Sequence, residues 1–170
     1  MFIVKDSIHI DAPIERCFLL STNIALVERT LEMRPVGGKT HGMVVDRDKV
    51  VWRGWQFGLP QMHESLITQY ERPTFFQDTM VRGRFKRYQH DHELTEVDEQ
   101  TLLMDKVRFS LPFGPLGKLV ARHVIVPYVC RLLRERMMLL KQVAESEEWR
   151  QYLPAEESYE ANAGVGSAML

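Results

Sequence analysis

The sequence predicts an α+β domain. A curved antiparallel sheet of about six or seven strands carries two short helices near its start, and a long, kinked C-terminal helix closes it around an apolar pocket. Three observations lead there. Strand-like segments recur at spacings of about 10–12 residues through the middle of the chain. Turns rather than helical stretches separate them, which indicates an antiparallel meander and not parallel βαβ units. The last third carries one apolar stripe at helical spacing.

Phe2 to Ile10 reads as the first strand, with Ile8 and Ile10 flanking His9. It ends at Asp11-Ala12-Pro13, where a proline at the first helical position opens a short helix with Ile14, Cys17 and Phe18 on one face. Thr22-Asn23 restarts a second short helix through Ile24, Val27 and Leu31. Pro35-Val36-Gly37-Gly38 reads as a break, and Met43 to Val45 as a short strand. Strands are then expected over Lys49 to Phe57, Gln61 to Tyr70, Thr74 to Val81, Phe85 to Val97 and Thr101 to Leu111. Pro115 opens the long helix, whose stripe includes Leu119, Val124, Leu133, Met137, Leu140 and Val143. Pro127 lies inside it, removes a backbone donor and opposes the His123 carbonyl, so a kink or break is expected there. From Glu147 the pattern is lost. The domain is placed at residues 1–146, with 147–170 as a flexible tail.

The bulk properties exclude several classes. At 170 residues, 45% hydrophobic and 26% charged, the chain has the length and composition of one globular domain. A net charge of −1 lacks the basic excess of a nucleic-acid binder. The local cluster Arg82, Arg84, Lys86 and Arg87 reads as a solvated hairpin, with a phosphate or acidic partner as the lesser alternative. Cys17 and Cys130 are too few for a disulfide framework and match no zinc spacing. The N-terminus is not patterned as a signal peptide, and no apolar run approaches the roughly 20 residues of a membrane helix. No integral membrane segment and a cytoplasmic location are therefore expected. Nothing in the pattern sets an oligomeric state.

The opening Ile8-x-Ile10-x-Ala12-Pro13-x-Glu15-x-x-Phe18 resembles the START-like, SRPBCC superfamily, which includes birch-pollen-type allergens and polyketide cyclase/dehydrase proteins. Phe57-Gly58-Leu59, His63-Glu64-Ser65, Pro73-x-x-Phe76-x-Asp78, Gly83-x-Phe85, His90-x-His92 and Pro112-Phe113-Gly114-Pro115-Leu116-Gly117 look like a bacterial ligand-binding branch of it. The resemblance spans about Met1 to Ala144 and implies the helix-grip fold, with an apolar cavity between sheet and helix. Members carry lipids, sterols, plant hormones or polyketides, and a few catalyse cyclisation or dehydration. They share no catalytic set, so none is carried over. Pro127 departs from the unbroken helix the resemblance implies.

Alternation puts Tyr88, His90, His92 and Leu94 on one face of their strand, and Leu103, Asp105, Val107 and Phe109 on one face of the next. A turn at Asp98-Glu99 brings positions 92 and 105 together. A buried His92 beside a buried Asp105 is an acid/base candidate or a ligand-orienting pair. The alternatives are a pair that merely satisfies itself, or a register one residue off with both histidines in water. Asp78 shares a face with Phe76 and Met80 and would need Tyr88 or His90 as partner. Trp52 and Trp55 fall on opposite faces of a regular strand unless Gly54 marks a bulge. Trp52, Trp55, Asp78, Tyr88, His90, Val107 and Phe109 are the candidate ligand-binding residues. Met33, Met62, Met80, Met104, Met137 and Met138 could form an adaptable lining or simply core.

His-x-His on a strand is also a metal-site fragment, with Asp105 or His63 conceivable as third ligand. Two residues do not make a site, so neither metal nor cofactor is expected. No nucleophile elbow, phosphate loop or dinucleotide fingerprint is present. The function these features favour is binding of a hydrophobic or amphipathic small molecule of lipid, polyketide or isoprenoid type. The alternatives are a cyclase/dehydratase-type lyase using His92 and Asp105, and an interaction domain with a vestigial pocket.

Overall fold

The computed structural model describes residues 1–56 and 59–154. Phe57 and Gly58, at the expected end of the third strand-like run, lie outside the described residues, as does the tail from 155 onward. The order is β1 (Phe2–Ile10), α1 (Ile14–Thr22), α2 (Ile24–Glu28), β2 (Met33–Gly38), β3 (Lys49–Gln56), β4 (Leu59–Glu71), β5 (Phe75–Arg82), β6 (Arg87–Val97) and β7 (Gln100–Ser110). Then come α3 (Gly114–Val120), a π-helical turn (Ala121–Ile125), α4 (Val126–Glu145) and a 3-10 turn (Glu147–Gln151).

The strands form one seven-stranded sheet in the order β1-β7-β6-β5-β4-β3-β2, every neighbour antiparallel. A meander from β2 to β7 is thus completed by β1, which returns to pair with β7. Register shifts between Pro35 and Gly37, between Glu64 and Ser65 and between Ile67 and Gln69 are places where an extra residue bends a strand. These bends let the sheet curve around the helix.

The expected break at Pro35–Gly38 is instead part of β2. That strand is an edge, where a proline's missing donor faces away from the ladder. Met43 makes only an isolated bridge to Asn23, not a strand. Gly54 marks no bulge. A side chain there would lie 2.1 Å from the Glu32 carbonyl oxygen, so glycine is required by the close approach of the chain entering β2. The second short helix is set by Asn23, whose side chain accepts from the backbone N–H groups of Ala25 and Leu26.

The β6–β7 hairpin positions the later chemistry. Asp98 and Glu99 both adopt positive φ, 50° and 64°, the conformation of a tight two-residue hairpin turn. This turn places His92 opposite Asp105 and Leu94 opposite Leu103.

Pro127 does not break the long helix. The backbone stays right-handed helical from Val120 through Val126, and the Val126 N–H bonds the Ala121 carbonyl five residues back. One widened turn thus precedes the proline, relieving the clash with the carbonyl four residues before it. Beyond it, Val129, Leu133, Met137, Leu140, Val143 and Ala144 form the buried face of α4 against β1 and α1.

The 3-10 turn that follows residue 146 packs onto the core. Trp149 is only 2% exposed and belongs to the main core with Phe18, Met137 and Leu153. Arg16 stacks over its indole at 4.5 Å. Sequence patterning misses this because a single 3-10 turn is too short to show a period. Cys17 is buried, whereas Cys130 faces solvent on α4.

Trp149→Ala should therefore cost about 3–5 kcal/mol, measured by urea unfolding, as other buried tryptophans do. Truncation after Ser146 should cost at least as much, and an unchanged midpoint would show the segment to be peripheral. Glu99→Gly should move the midpoint the other way, by up to about 1 kcal/mol, by relieving a left-handed residue.

Candidate functional site

Between the inner sheet face and α4 lies a cavity of about 190 Å³. Ile24, Leu31, Met33, Val50, Trp52, Ile67 and Phe76 supply apolar wall, and Val129, Leu132 and Leu133 the helix side. Polar groups converge on one region of this surface: His63, Asp78, Tyr88, His90 and His92 from the sheet, and Arg136 from α4.

Neighbouring strands β5, β6 and β7 place the central cluster. Asp78 pairs with His90 across β5 and β6, and His92 with Asp105 across β6 and β7. His92 Nδ1 lies 2.8 Å from Asp105 Oδ1, and both side chains are essentially inaccessible to water. His92 Nε2 lies 3.4 Å from Asp78 Oδ2. His90 faces the same two carboxylates more loosely, with Nδ1 3.7 Å from Asp78 Oδ2 and Nε2 3.5 Å from Asp105 Oδ2. Neither His90 Nε2 nor Asp105 Oδ2, both buried, has a formed hydrogen bond. Phe76 stacks on the His92 ring at 4.0 Å and fixes its plane.

Burial works against charge on every member of this cluster, and the partners decide the outcome. Burial would lower His92, but the Asp105 carboxylate outweighs it and the imidazole is held above its ordinary value. His90 is pushed below its ordinary value by burial and then by His92 beside it. Asp105, despite burial, is held well below the usual carboxylate range by His92 and His90. Asp78 is lowered too, its burial offset by the His92 hydrogen bond and by His90. Tyr88 is raised by burial and by Asp78, so it stays a neutral hydroxyl. His63 is lowered by burial.

The facing expected for β6 and β7 holds: Tyr88, His90, His92 and Leu94 point inward, as do Leu103, Asp105, Val107 and Phe109. Trp52, Asp78, Tyr88, His90, His92 and Val107 line the cavity, with Asp105 just behind His92. Two candidates do not line the cavity. Trp55 is 65% exposed, because without a bulge at Gly54 it takes the outer face opposite Trp52. Phe109 is fully buried but lies past the cavity, packed on Phe2 and Phe85 in a second core cluster. Alternation finds a residue's face, not its distance along the strand from the cavity. Arg136 and Arg84 line the cavity unforeseen. Arg136 sits one residue before Met137 on the helix, where long basic side chains usually read as solvated surface. Arg84, in the expected solvated hairpin, donates to the Pro60 carbonyl at 2.9 Å. Among the methionines, Met33 and Met62 line the cavity, and Met137 is core.

No protein-family model matches the chain, and no curated protein matches it. Solved structures do. TTHA0849 from Thermus thermophilus is 19% identical with a TM-score of 0.65, over 85% of this chain and 100% of that one. A START superfamily protein from Mycobacterium smegmatis is 12% identical with a TM-score of 0.55, over 88% and 98%. The di-domain ARO/CYC protein BexL of the BE-7585A biosynthetic pathway is 15% identical with a TM-score of 0.69, over 85% of this chain and 50% of that one. The chain has the START-like helix-grip fold that its sequence resembles. Among the described residues, no helix is long and apolar enough to cross a membrane.

The geometry makes His92 and Asp105 a coupled pair. In metal-free buffer, Asp105→Leu should destabilise by about 3–5 kcal/mol, since it strands a buried imidazole. His92→Leu in the same chain should recover part of that loss, giving a coupling of about 0.5–3 kcal/mol in a double-mutant cycle. Additive losses would mean the two side chains do not act together.

Proposed function

We propose that this chain binds a hydrophobic or amphipathic small molecule, of lipid, polyketide or isoprenoid type, in the cavity between sheet and long helix. The observation that carries this reading is the cavity itself, with apolar walls converging on a few polar groups at one place. Its 190 Å³ exceeds the roughly 150 Å³ of an apolar cavity that takes benzene, and falls short of the roughly 300–1,000 Å³ of pockets for drug-sized ligands. One ring or a short chain fits inside. A longer ligand would extend outward where Thr30, Leu31 and Leu132 border both this cavity and an outer cleft between Arg29 and Arg131. Tyr88 and His90 supply neutral hydrogen-bonding groups at the polar end, and Arg136 a fixed positive charge suited to a carboxylate or carbonyl oxygen.

Proton transfer by His92 with Asp105, in a cyclase/dehydratase-type lyase, is the second reading. The 2.8 Å contact favours it. The outer nitrogen, however, faces Asp78 at 3.4 Å rather than open volume. A base so engaged has no free site for a substrate proton, and this favours binding over turnover. A vestigial pocket is the weakest reading, because side chains do not fill the space.

Native mass spectrometry of the chain purified from its own organism should show a small molecule released on denaturation. The chain should also bind 1-anilinonaphthalene-8-sulfonate, with displacement by a medium-chain fatty acid. Ser65→Phe, which fills the cavity, should abolish both at a stability cost of about 1–3 kcal/mol. Arg136→Gln should weaken the fatty acid about tenfold or more and leave the matching alcohol unchanged. Full binding by Ser65→Phe would place the ligand elsewhere, and absence of any bound molecule or probe would remove the binding reading.

A further inference from the structure

The floor of the cavity carries more polar machinery than an apolar ligand needs. His90 and His92 project side by side from β6, their ring centres 3.8 Å apart. Each turns one nitrogen toward Asp105 and the other toward Asp78 Oδ2. We propose that His90 Nδ1, His92 Nε2 and Asp78 Oδ2 form a site for one divalent transition-metal ion of the Zn(II) class, with Asp105 orienting both imidazoles from behind.

Four observations support this assignment. The first is distance. Zinc–ligand bonds of about 2.0–2.2 Å separate neighbouring donors of a tetrahedron by roughly 3.3–3.6 Å. The Asp78 oxygen lies 3.4 Å from His92 Nε2 and 3.7 Å from His90 Nδ1, and one donor atom from each of the three residues lies within 4.8 Å of the others. A small closure of the histidines completes the set.

The second is the donor set. Two imidazoles and one carboxylate leave a fourth position, and all three residues line the cavity, so that position opens on the space above. Three protein ligands plus an open position is the composition of exchangeable zinc sites, not of closed structural ones.

The third is the shell behind the donors. Metal-bound histidines ordinarily give their other N–H to a carboxylate, which sets tautomer and ring orientation. Asp105 faces His92 Nδ1 with one oxygen at 2.8 Å and His90 Nε2 with the other at 3.5 Å. One buried residue thus stands in the orienting position for both rings.

The fourth is what the cluster lacks. His90, its side chain 7% exposed, and Asp105 leave two facing atoms, Nε2 and Oδ2, 3.5 Å apart without a hydrogen bond. A cation on His90 Nδ1 would fix the tautomer that carries its proton on Nε2, facing Asp105 Oδ2. It would also add positive charge beside the two carboxylates. Arg136 and Arg84 are the charged groups across the cavity, and their repulsion moderates the affinity.

The site does not depend on the identity of the organic ligand, whose body would occupy the apolar space above it. Sequence alone pointed to Asp105 or His63 as the third ligand and favoured no metal. The sheet register selects Asp78, and His63 packs edge-on against Tyr88 instead.

The test uses the full chain, stripped with a chelator and free of organic probe. Zn(II) in competition with a chromophoric chelator should bind at one equivalent, and Co(II) should give the visible spectrum of a tetrahedral nitrogen–oxygen site. Asp105→Asn should weaken Zn(II) by about 10–100-fold, as lost orienting carboxylates do. Asp78→Asn and His90→Gln should weaken it further, with circular dichroism unchanged. A His41→Ala/His123→Ala double variant, which removes exposed histidines, should bind as the parent does. Absence of stoichiometric binding, or binding that survives Asp78→Asn and His90→Gln, overturns the site. So does loss confined to the His41/His123 variant. If the cluster variants fail to fold, anomalous diffraction from Co(II)-soaked parent crystals decides: a peak among Asp78, His90 and His92 supports the site, and its absence overturns it. None of these outcomes touches the sulfonate-probe assay, so the metal and ligand readings fail separately.

Discussion

The polar floor of this fold depends on Asp105, a carboxylate with no exposed side-chain surface that lies 2.8 Å from the ring of His92. A buried charge costs several kcal/mol unless partners meet it. Here the partners come from β6, so the strand pairing and the chemistry are one constraint. If the β6–β7 register slipped by one residue, Asp105 would turn to solvent and the cavity would lose its polar group. The turn at Asp98 and Glu99 excludes that slip by closing the hairpin with Val97 opposite Gln100. Two left-handed residues without glycine are unfavourable there, and the register they enforce is what they supply in return.

Around this hairpin the sheet divides the labour. Strand β7 lies between β1 and β6, so Val4 and Phe109 of β1 and β7 pack under the helix while Phe76, Asp78, Tyr88, His90, His92 and Val107 reach the cavity. The helix grips both. Its buried face covers the core, and Arg136, between the core positions Leu133 and Met137, reaches the cavity edge, donating to the Ser21 carbonyl at 2.9 Å. That bond anchors a guanidinium that would otherwise swing to water. The widened turn before Pro127 lets the helix continue over the smaller core, where Ala121 and Val129 meet Phe109 and Val107.

Much of this was legible in the sequence, for identifiable reasons. Period-two alternation makes the face of Tyr88, His90 and His92 readable, and a short turn makes the pairing with Asp105 readable. What was not legible depends on three-dimensional position. Trp55 and Phe109 are aromatic on good strands, yet one lies on the outer face and the other beyond the cavity's end. Trp149 sits in a single turn with no period. Arg136 resembles every other basic residue on the helix back until the curvature of the sheet is known. Asp78 could be assigned a need for a partner but not the partner, because that required the β5–β6 register.

The cavity and the cluster on its floor place different demands on the fold. A carrier that only shelters an apolar body gains nothing from two carboxylates and two imidazoles on its floor. It bears their desolvation cost, and replacing such a set with apolar residues of like volume is often stabilising. An amphipathic ligand would engage Arg136 and Tyr88 and leave His90 Nε2 and Asp105 Oδ2 without a hydrogen bond. A metal ion held by Asp78, His90 and His92 would set His90 Nε2–H toward Asp105 and leave one coordination position facing the same space. An oxygen of the organic ligand could then occupy it, which would make the metal part of ligand recognition rather than a separate feature of the sheet.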